Sequence, residues 1–197
     1  MTDLKQEFQN RFKKYPDHIF FSPGRVNLIG EHIDYNGGNV MPCAINMGTY
    51  LAISKNTDKI FRFRCLNFPE TADFHLQTSY SKTGKEWFNY PLGIIDCIIQ
   101  KGASIAGLDM LFYGNLPIGA GLSSSASIEV LTAYALNELF ELKLPRLDIA
   151  LLSKKVENEF IGMNCGIMDQ FAVTFGQRNR AILLNCDTLE YELLPLK

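Results

Sequence analysis

The chain has 197 residues, with 19 Lys+Arg against 21 Asp+Glu and a formal charge of −2. That balance argues against a protein whose main task is gripping a nucleic-acid backbone, which calls for a surplus of cations. Hydrophobic residues at 47% and charged ones at 20% describe a globular chain, and the length suits one good-sized domain or one lobe of a larger protein.

Residues 2–15 read as an amphipathic helix, since Leu4, Phe8 and Phe12 recur every four residues between charges, and Pro16 ends it. Short strand-like runs follow at His18–Ser22, Val26–Ile29, Thr49–Ser54 and Ile60–Cys65. Residues 86–100 return to helical spacing through Trp87, Tyr90, Ile94 and Ile98. Leu108–Tyr113 reads as a strand leading into a loop at Gly114–Gly121. Ser124–Phe140 is the next helix, with Ile128, Leu131, Ala135 and Leu139 on one face. Another starts near Pro145, which suits a first helical turn, and runs to about Phe160. Gly162–Gly166 breaks the chain, Ile167–Phe175 reads as a short helix, and residues 180–186 and 190–194 as strands. Strands and helices mixed without strict alternation favour an α+β fold.

Two uncharged stretches, Tyr35–Ser54 and Met110–Ile128, are long enough to cross a bilayer. Their asparagines, serines, glycines and prolines would leave polar groups unsatisfied in lipid, so neither is read as a span and no membrane partner is expected. The opening Met-Thr-Asp-Leu-Lys-Gln-Glu lacks the apolar core of a secretory leader. Five scattered cysteines without C-x-x-C spacing argue for reduced thiols and a cytoplasmic setting. The final Leu-Leu-Pro-Leu-Lys still reads as sheet, which suggests the N-terminal part of a longer protein.

Three segments carry chemistry. In Asn115–Ser127, between a strand and a helix, Gly119 and Gly121 let backbone amides approach a ligand. The helix adds unpaired N–H groups, and Ser123, Ser124 and Ser125 add hydroxyls for phosphate or Mg²⁺. No Gly-Lys-Ser/Thr follows, so this is not a Walker A loop. A plain strand-to-helix turn capped by serine is the alternative. In Ser22–Gly38, Arg25, Glu31, His32 and Asp34 cluster around glycines and offer the acceptors and forked cation that a polyol needs; a polar turn with an ordinary ion pair is the alternative. In Glu157–Gln170, a helix delivers Glu157, and Gly162 and Gly166 turn the chain to present Asp169. Two carboxylates there could divide the work, one on a metal and one on an acceptor hydroxyl; an Asp after Met is otherwise a common helix cap.

Pro117–Ser127 resembles the second motif of the GHMP small-molecule kinases, Ser22–Gly38 resembles the signature of their galactokinase branch, and Gly162-Met-Asn-Cys-Gly-Ile-Met-Asp-Gln170 resembles that branch's catalytic segment. Two positions depart from the signature: Ile33 replaces the usual Thr, and Asn39 stands where His is common. The resemblance implies a two-layer N-terminal lobe, residues 1–197, with a mixed sheet on helices and a left-handed β-α-β crossover. A C-terminal lobe missing from this chain would be its intramolecular partner and would supply part of both pockets, which leaves the activity of this portion alone open. It implies ATP- and Mg²⁺-dependent phosphorylation of the anomeric hydroxyl of α-D-galactose. Gly119, Ala120, Gly121, Leu122, Ser123, Ser124 and Ser125 would hold ATP, and Ser125 and Glu157 the Mg²⁺. Asp169 would accept the sugar proton, with Arg25 beside it, while Glu31, His32, Asp34 and Gly166 hold the sugar. Trp87 and Tyr90 fall where the family builds its adenine pocket; two aromatics on the buried face of a helix are the alternative. Two rival readings are a kinase for N-acetylgalactosamine or a uronic acid, and a non-catalytic sensor of galactose and ATP. Such sensors have a shortened serine loop, whereas Ser123–Ser127 is intact here.

Overall fold

A computed structural model describes residues 3–117 and 119–196. Thr2 of the expected first helix and Ile118 of the glycine-serine loop lie outside the described residues.

Helix α1 (Leu4–Phe12) starts at Asp3, whose carboxylate accepts from the Gln6 amide at 3.2 Å, and stops at Lys13 in the left-handed region. It is shorter at both ends than the spacing predicts. Strand β1 (His18–Asn27) pairs antiparallel with β3 (Pro42–Asn56), and β3 pairs antiparallel with β6 (Gly107–Gly114). Strand β4 (Ile60–Cys65) lies parallel to β6, and β5 (Ala72–His75) closes the edge, giving the order β1-β3-β6-β4-β5. The crossover from β4 to β6 passes through β5 and α2 (Asn89–Gln100). The sheet is mixed, as expected.

Both faces of this sheet are covered, and strand alternation sorts the side chains between them. Leu51, Ile53, Phe61, Phe63, Leu108, Met110 and Phe112 face a layer built from α2, α3 (Ser124–Phe140) and α4 (Arg146–Lys155). Ala52 and Leu111 face the other way, where Leu4 and Phe8 of α1 close over them. Phe8 is fully buried there, a contribution of about 1.5–3 kcal/mol. A second sheet, β2 (Asn39–Val40), β7 (Arg180–Asn185) and β8 (Tyr191–Pro195), packs through Val40, Ile182 and Leu184 on α5 (Met168–Phe175).

Three features depart from the sequence expectation. The run His18–Ser22 and the start of Val26–Ile29 are one strand, because a bulge between Pro23 and Arg25 carries β1 past Gly24 without ending its pairing; Leu28 and Ile29 lie beyond its end at Asn27. A Cβ at Gly24 would meet Leu116 Cδ2 at 2.6 Å and the Leu122 carbonyl oxygen at 2.7 Å, so the strand passes against the glycine-serine loop with no side chain between. Helix α3 is not half-exposed: Ser127, Glu129, Thr132 and Ala133 are as buried as Leu131 and Ala135, since β1, β3, α2, α4 and α5 surround it. The helix expected to reach Phe160 instead widens after Lys155 into a π-helical turn, Val156–Ile161.

Candidate active site

The loop after β6 delivers the serines to different places. Ser123, the residue before α3, sits at φ 57°, ψ 50°, a left-handed conformation costly for a side chain other than glycine. Its hydroxyl makes no capping bond; it donates to Asp169 Oδ2 at 2.5 Å. The serine cap is therefore not what this residue provides. Ser124 and Ser125 open the helix, while Ser127 turns inward and donates to the Ser22 carbonyl at 2.9 Å.

Asp169 stands in the first turn of α5. Its Oδ1 accepts from Arg25 Nε at 2.8 Å and Nη2 at 2.7 Å, a side-on fork. Arg25 Nη1 also donates to the Gly121 carbonyl at 2.6 Å, and the Arg25 amide to the Leu122 carbonyl at 3.1 Å. One guanidinium thus joins the bulged strand, the glycine-serine loop and α5. Gly121 itself is left-handed at φ 65°, as is Gly119 at φ 73°.

The remaining polar residues of Ser22–Gly38 divide. Asp34 starts a short 3-10 turn, and its carboxylate lies against Gly166: a Cβ there would come within 2.1 Å of Asp34 Oδ2. Any side chain at position 166 would displace it. Glu31 is exposed and accepts from Asn27 Nδ2 at 3.0 Å. His32 is exposed at φ 60°, its ring edge-on to Tyr35. Glu31 and His32 make no contact with the Arg25–Asp169 pair in the hydrogen bonds or ion pairs of the described residues. Ile33 folds its Cγ2 methyl back over Gly38, and Asn39 is exposed in β2, paired with Asn185.

Glu157 lies in the π turn and is only 5% exposed. The turn packs close to α2 because Gly93 has no side chain; a Cβ would sit 2.6 Å from Val156 Cγ1 and 2.8 Å from Phe160 Cδ1. Burial raises the Glu157 pKa, and the Asp169 charge raises it further, while hydrogen bonds from Ser125, Cys165 and Gln170 oppose the rise. A serine hydroxyl beside a carboxylate is an oxygen donor set that suits a hard divalent cation, which also takes phosphate and water oxygens. No three His, Cys, Asp or Glu side chains gather into a metal cage among the described residues.

Two residues of this cluster escaped the sequence reading. Gln170 is fully buried and donates to Glu157 Oε2 at 2.6 Å. Glu129 is also fully buried, and neither of its oxygens has a well-aligned partner. Burial, then the Glu157 charge, hold Glu129 well above the usual carboxylate range. The available signal was spacing: Glu129 lies four residues after Ser125, one helical turn along the same face. Cys165, beside Glu157, is pushed up to about 12, first by burial and then by the same charge.

Next to the loop lies a cavity of about 240 Å³ lined by Trp87, Tyr90, Cys65, Phe68, Phe112, Gly119, Ser124 and Ser125 among others. Trp87 and Tyr90 are half-buried on its wall, not enclosed in the core. Burial, then the charges of Glu157 and Glu129, raise the Tyr90 phenol, so this wall adjoins the carboxylate cluster. Ala120, Gly121, Leu122 and Ser123 do not line the cavity; Gly121, Leu122 and Ser123 turn instead toward Arg25 and Asp169.

Two family models match, the galactokinase galactose-binding signature over residues 6–55 and the GHMP kinases N terminal domain over residues 89–177. A galactokinase of Clostridium perfringens is 49% identical over 199 residues, covering all of this chain and 51% of that protein. Over its whole length the chain is similar to part of a galactokinase. A galactokinase of Clostridium beijerinckii is 51% identical over 95% of this chain and 49% of its own length. The crystal structure of Lactococcus lactis galactokinase complexed with galactose superposes with a TM-score of 0.93 at 43% identity, covering 98% of this chain and 51% of that one. Methanococcus jannaschii mevalonate kinase shares the fold, with a TM-score of 0.77 at 22% identity over 89% of this chain and 55% of its own. The chain spans about half the length of the curated relatives it matches. None of the helices among the described residues is long and apolar enough to cross a membrane.

Proposed function

We propose that this chain is the part of a galactokinase that holds the phosphate donor and the reacting sugar hydroxyl, transferring the γ-phosphoryl group of ATP to the anomeric oxygen of α-D-galactose. The observation that carries the reading is the joint capture of Asp169 by Arg25 and by Ser123 of the glycine-serine loop. A proton-accepting carboxylate then adjoins the loop whose amides suit phosphate. The relatives at 49% identity are galactokinases, which gives the reaction its name.

Phosphoryl transfer asks chiefly for alignment and for neutralisation of spread-out negative charge. Left-handed Gly119 and Gly121 open the loop so that its amides and the start of α3 can meet phosphate oxygens. Trp87 and Tyr90 wall the adjoining cavity, where a flat base would stack. Asp169 accepts the anomeric hydroxyl proton as the new O–P bond forms, and ADP leaves with the electrons of the old one. Arg25 fixes the Asp169 carboxylate side-on and balances charge near the transferring group. Ser125 and Glu157 would hold Mg²⁺, which when bound neutralises phosphate charge and assists the leaving group. Asp34, seated against Gly166, with Glu31 and His32, would bind the other sugar hydroxyls. A site of this polar kind rejects sugars lacking the matching hydroxyl, because its own groups would be left unpaired.

The test is galactose-dependent ADP release by a full-length protein carrying this chain, with the product's phosphate position read by ³¹P NMR. Phosphorylation at the anomeric carbon is expected. Galactose binding without turnover, or phosphate at another hydroxyl, would overturn the reading. The same assay on residues 1–197 alone is expected to show no turnover.

A further inference from the structure

We infer that Gln170 is a positioning residue for the metal-side carboxylate, Glu157; the inference rests on the metal reading given above. Gln170 is fully buried, and its amide nitrogen donates to Glu157 Oε2 at 2.6 Å. A charge-assisted bond of that length between two buried groups fixes both the rotation and the position of the carboxylate. With Oε2 held from the α5 side, the carboxylate, which also bonds Ser125, keeps one orientation for a cation.

The other groups beside Glu157 are Ser125, Cys165 and the buried Glu129, whose raised pKa reflects its closeness to the same carboxylate. Ser125 is itself a candidate ligand, so its hydroxyl oxygen would turn to the cation. Cys165 lies 3.7 Å away through sulfur, a weak donor. The π turn supplies no side-chain brace of its own, for Asn158 bonds instead to the Cys165 amide at 2.9 Å.

Position in the chain gives the bond a second consequence. Gln170 follows Asp169 directly in the first turns of α5, and its carbonyl accepts from Thr174 Oγ1 at 2.7 Å. The helix turn that aims the proton acceptor at the sugar thereby also aims the metal carboxylate at the phosphates. Outer partners of metal-bound carboxylates typically carry ten- to hundred-fold in metal affinity.

The experiment replaces Gln170 by Met, which fills the same volume without a donor, and by Asn, whose amide is too short to reach Glu157, in a full-length protein. Manganese(II) affinity with a non-hydrolysable ATP analogue is measured by electron paramagnetic resonance. Steady-state kinetics and thermal melting are followed alongside. Metal binding is expected to weaken about ten- to hundred-fold. The Mg²⁺ concentration at half-maximal rate should rise in step, with the galactose KM within about two-fold of the parent. Unchanged metal affinity in either folded variant overturns the inference. Glu157→Ala serves as the control: if it weakens manganese binding and the Gln170 variants do not, only this inference fails. If Glu157→Ala also leaves binding unchanged, the metal reading falls and takes the inference with it.

Discussion

Substitution of Asp169 by Asn separates the chemistry assigned to that residue from its place in the fold. Asparagine has the same shape. Its Oδ1 can go on accepting from Arg25 Nε, now 2.8 Å away, and its amide can donate to Ser123 Oγ, which turns from donor to acceptor. What disappears is the negative charge and the capacity to take a proton. The ion pair lost has side chains 14% and 28% exposed, so its charge is partly screened. Turning its charge-assisted bonds into neutral ones should cost about 1 kcal/mol, a fall in melting temperature of a few degrees. The rate consequence is larger: general-base catalysis contributes roughly 10²–10⁴-fold, about 2.7–5.5 kcal/mol of barrier. The assay pairs thermal melting with galactose-dependent ADP release and ATP-analogue affinity. Expected are a near-parental fold, near-parental nucleotide binding and turnover reduced at least a hundred-fold. Turnover within ten-fold of the parent would refute the proton-acceptor role. A collapse in melting temperature beyond about 10 °C would show that the charge serves the fold instead.

Glu129→Gln should change how stability depends on pH. Because burial raises the Glu129 pKa in the folded state, the folded protein binds more protons than the unfolded one above the ordinary glutamate range. Stability is then greatest below that range and falls as pH rises through the raised value. The variant should flatten that fall and be the more stable protein at pH 8, measured by urea denaturation from pH 5 to 8; parallel curves would refute it. Gly93→Ala places a methyl 2.6 Å from Val156 Cγ1, an overpacking expected to cost about 1–3 kcal/mol, offset in part by about 1 kcal/mol of helix propensity. Adding Val156→Ala should restore much of the loss in melting temperature. Failure of that second change to help would mean the crossing of α2 and the π turn is looser than described.

Part of this was legible in the sequence because it depends on neighbours within a turn or two. The fifteen-residue reach of β3 was not: only Thr49–Ser54 shows strand-forming residues, and the rest is extended because β1 holds it in register from Pro42 onward. Strand β2, two residues long, exists by pairing alone, and strand β5 alternates apolar and polar residues over only four positions, too short a run to stand out. Helix α3, by contrast, is bounded at Ser124 and Phe140 as its spacing predicts, because the glycine-serine run cannot continue it backward and its own residues favour helix. The burial of its polar residues Ser127, Glu129 and Thr132 had to come from the elements packed around it.

For the candidate site, the sequence by itself settled which chemical groups are present: two left-handed-capable glycines, a serine run, an arginine, and carboxylates on either side of a glycine-bounded turn. Only the tertiary structure decided their partners. Arg25 meets Asp169 across 144 positions and Ser123 meets it across 46, separations at which no local pattern carries information. Likewise the π turn that carries Glu157 arises where α2 presses close at Gly93, and the bond from Gln170 exists because α5 docks beside that turn. Residue type is written locally, whereas distance and orientation come from packing the whole chain at once.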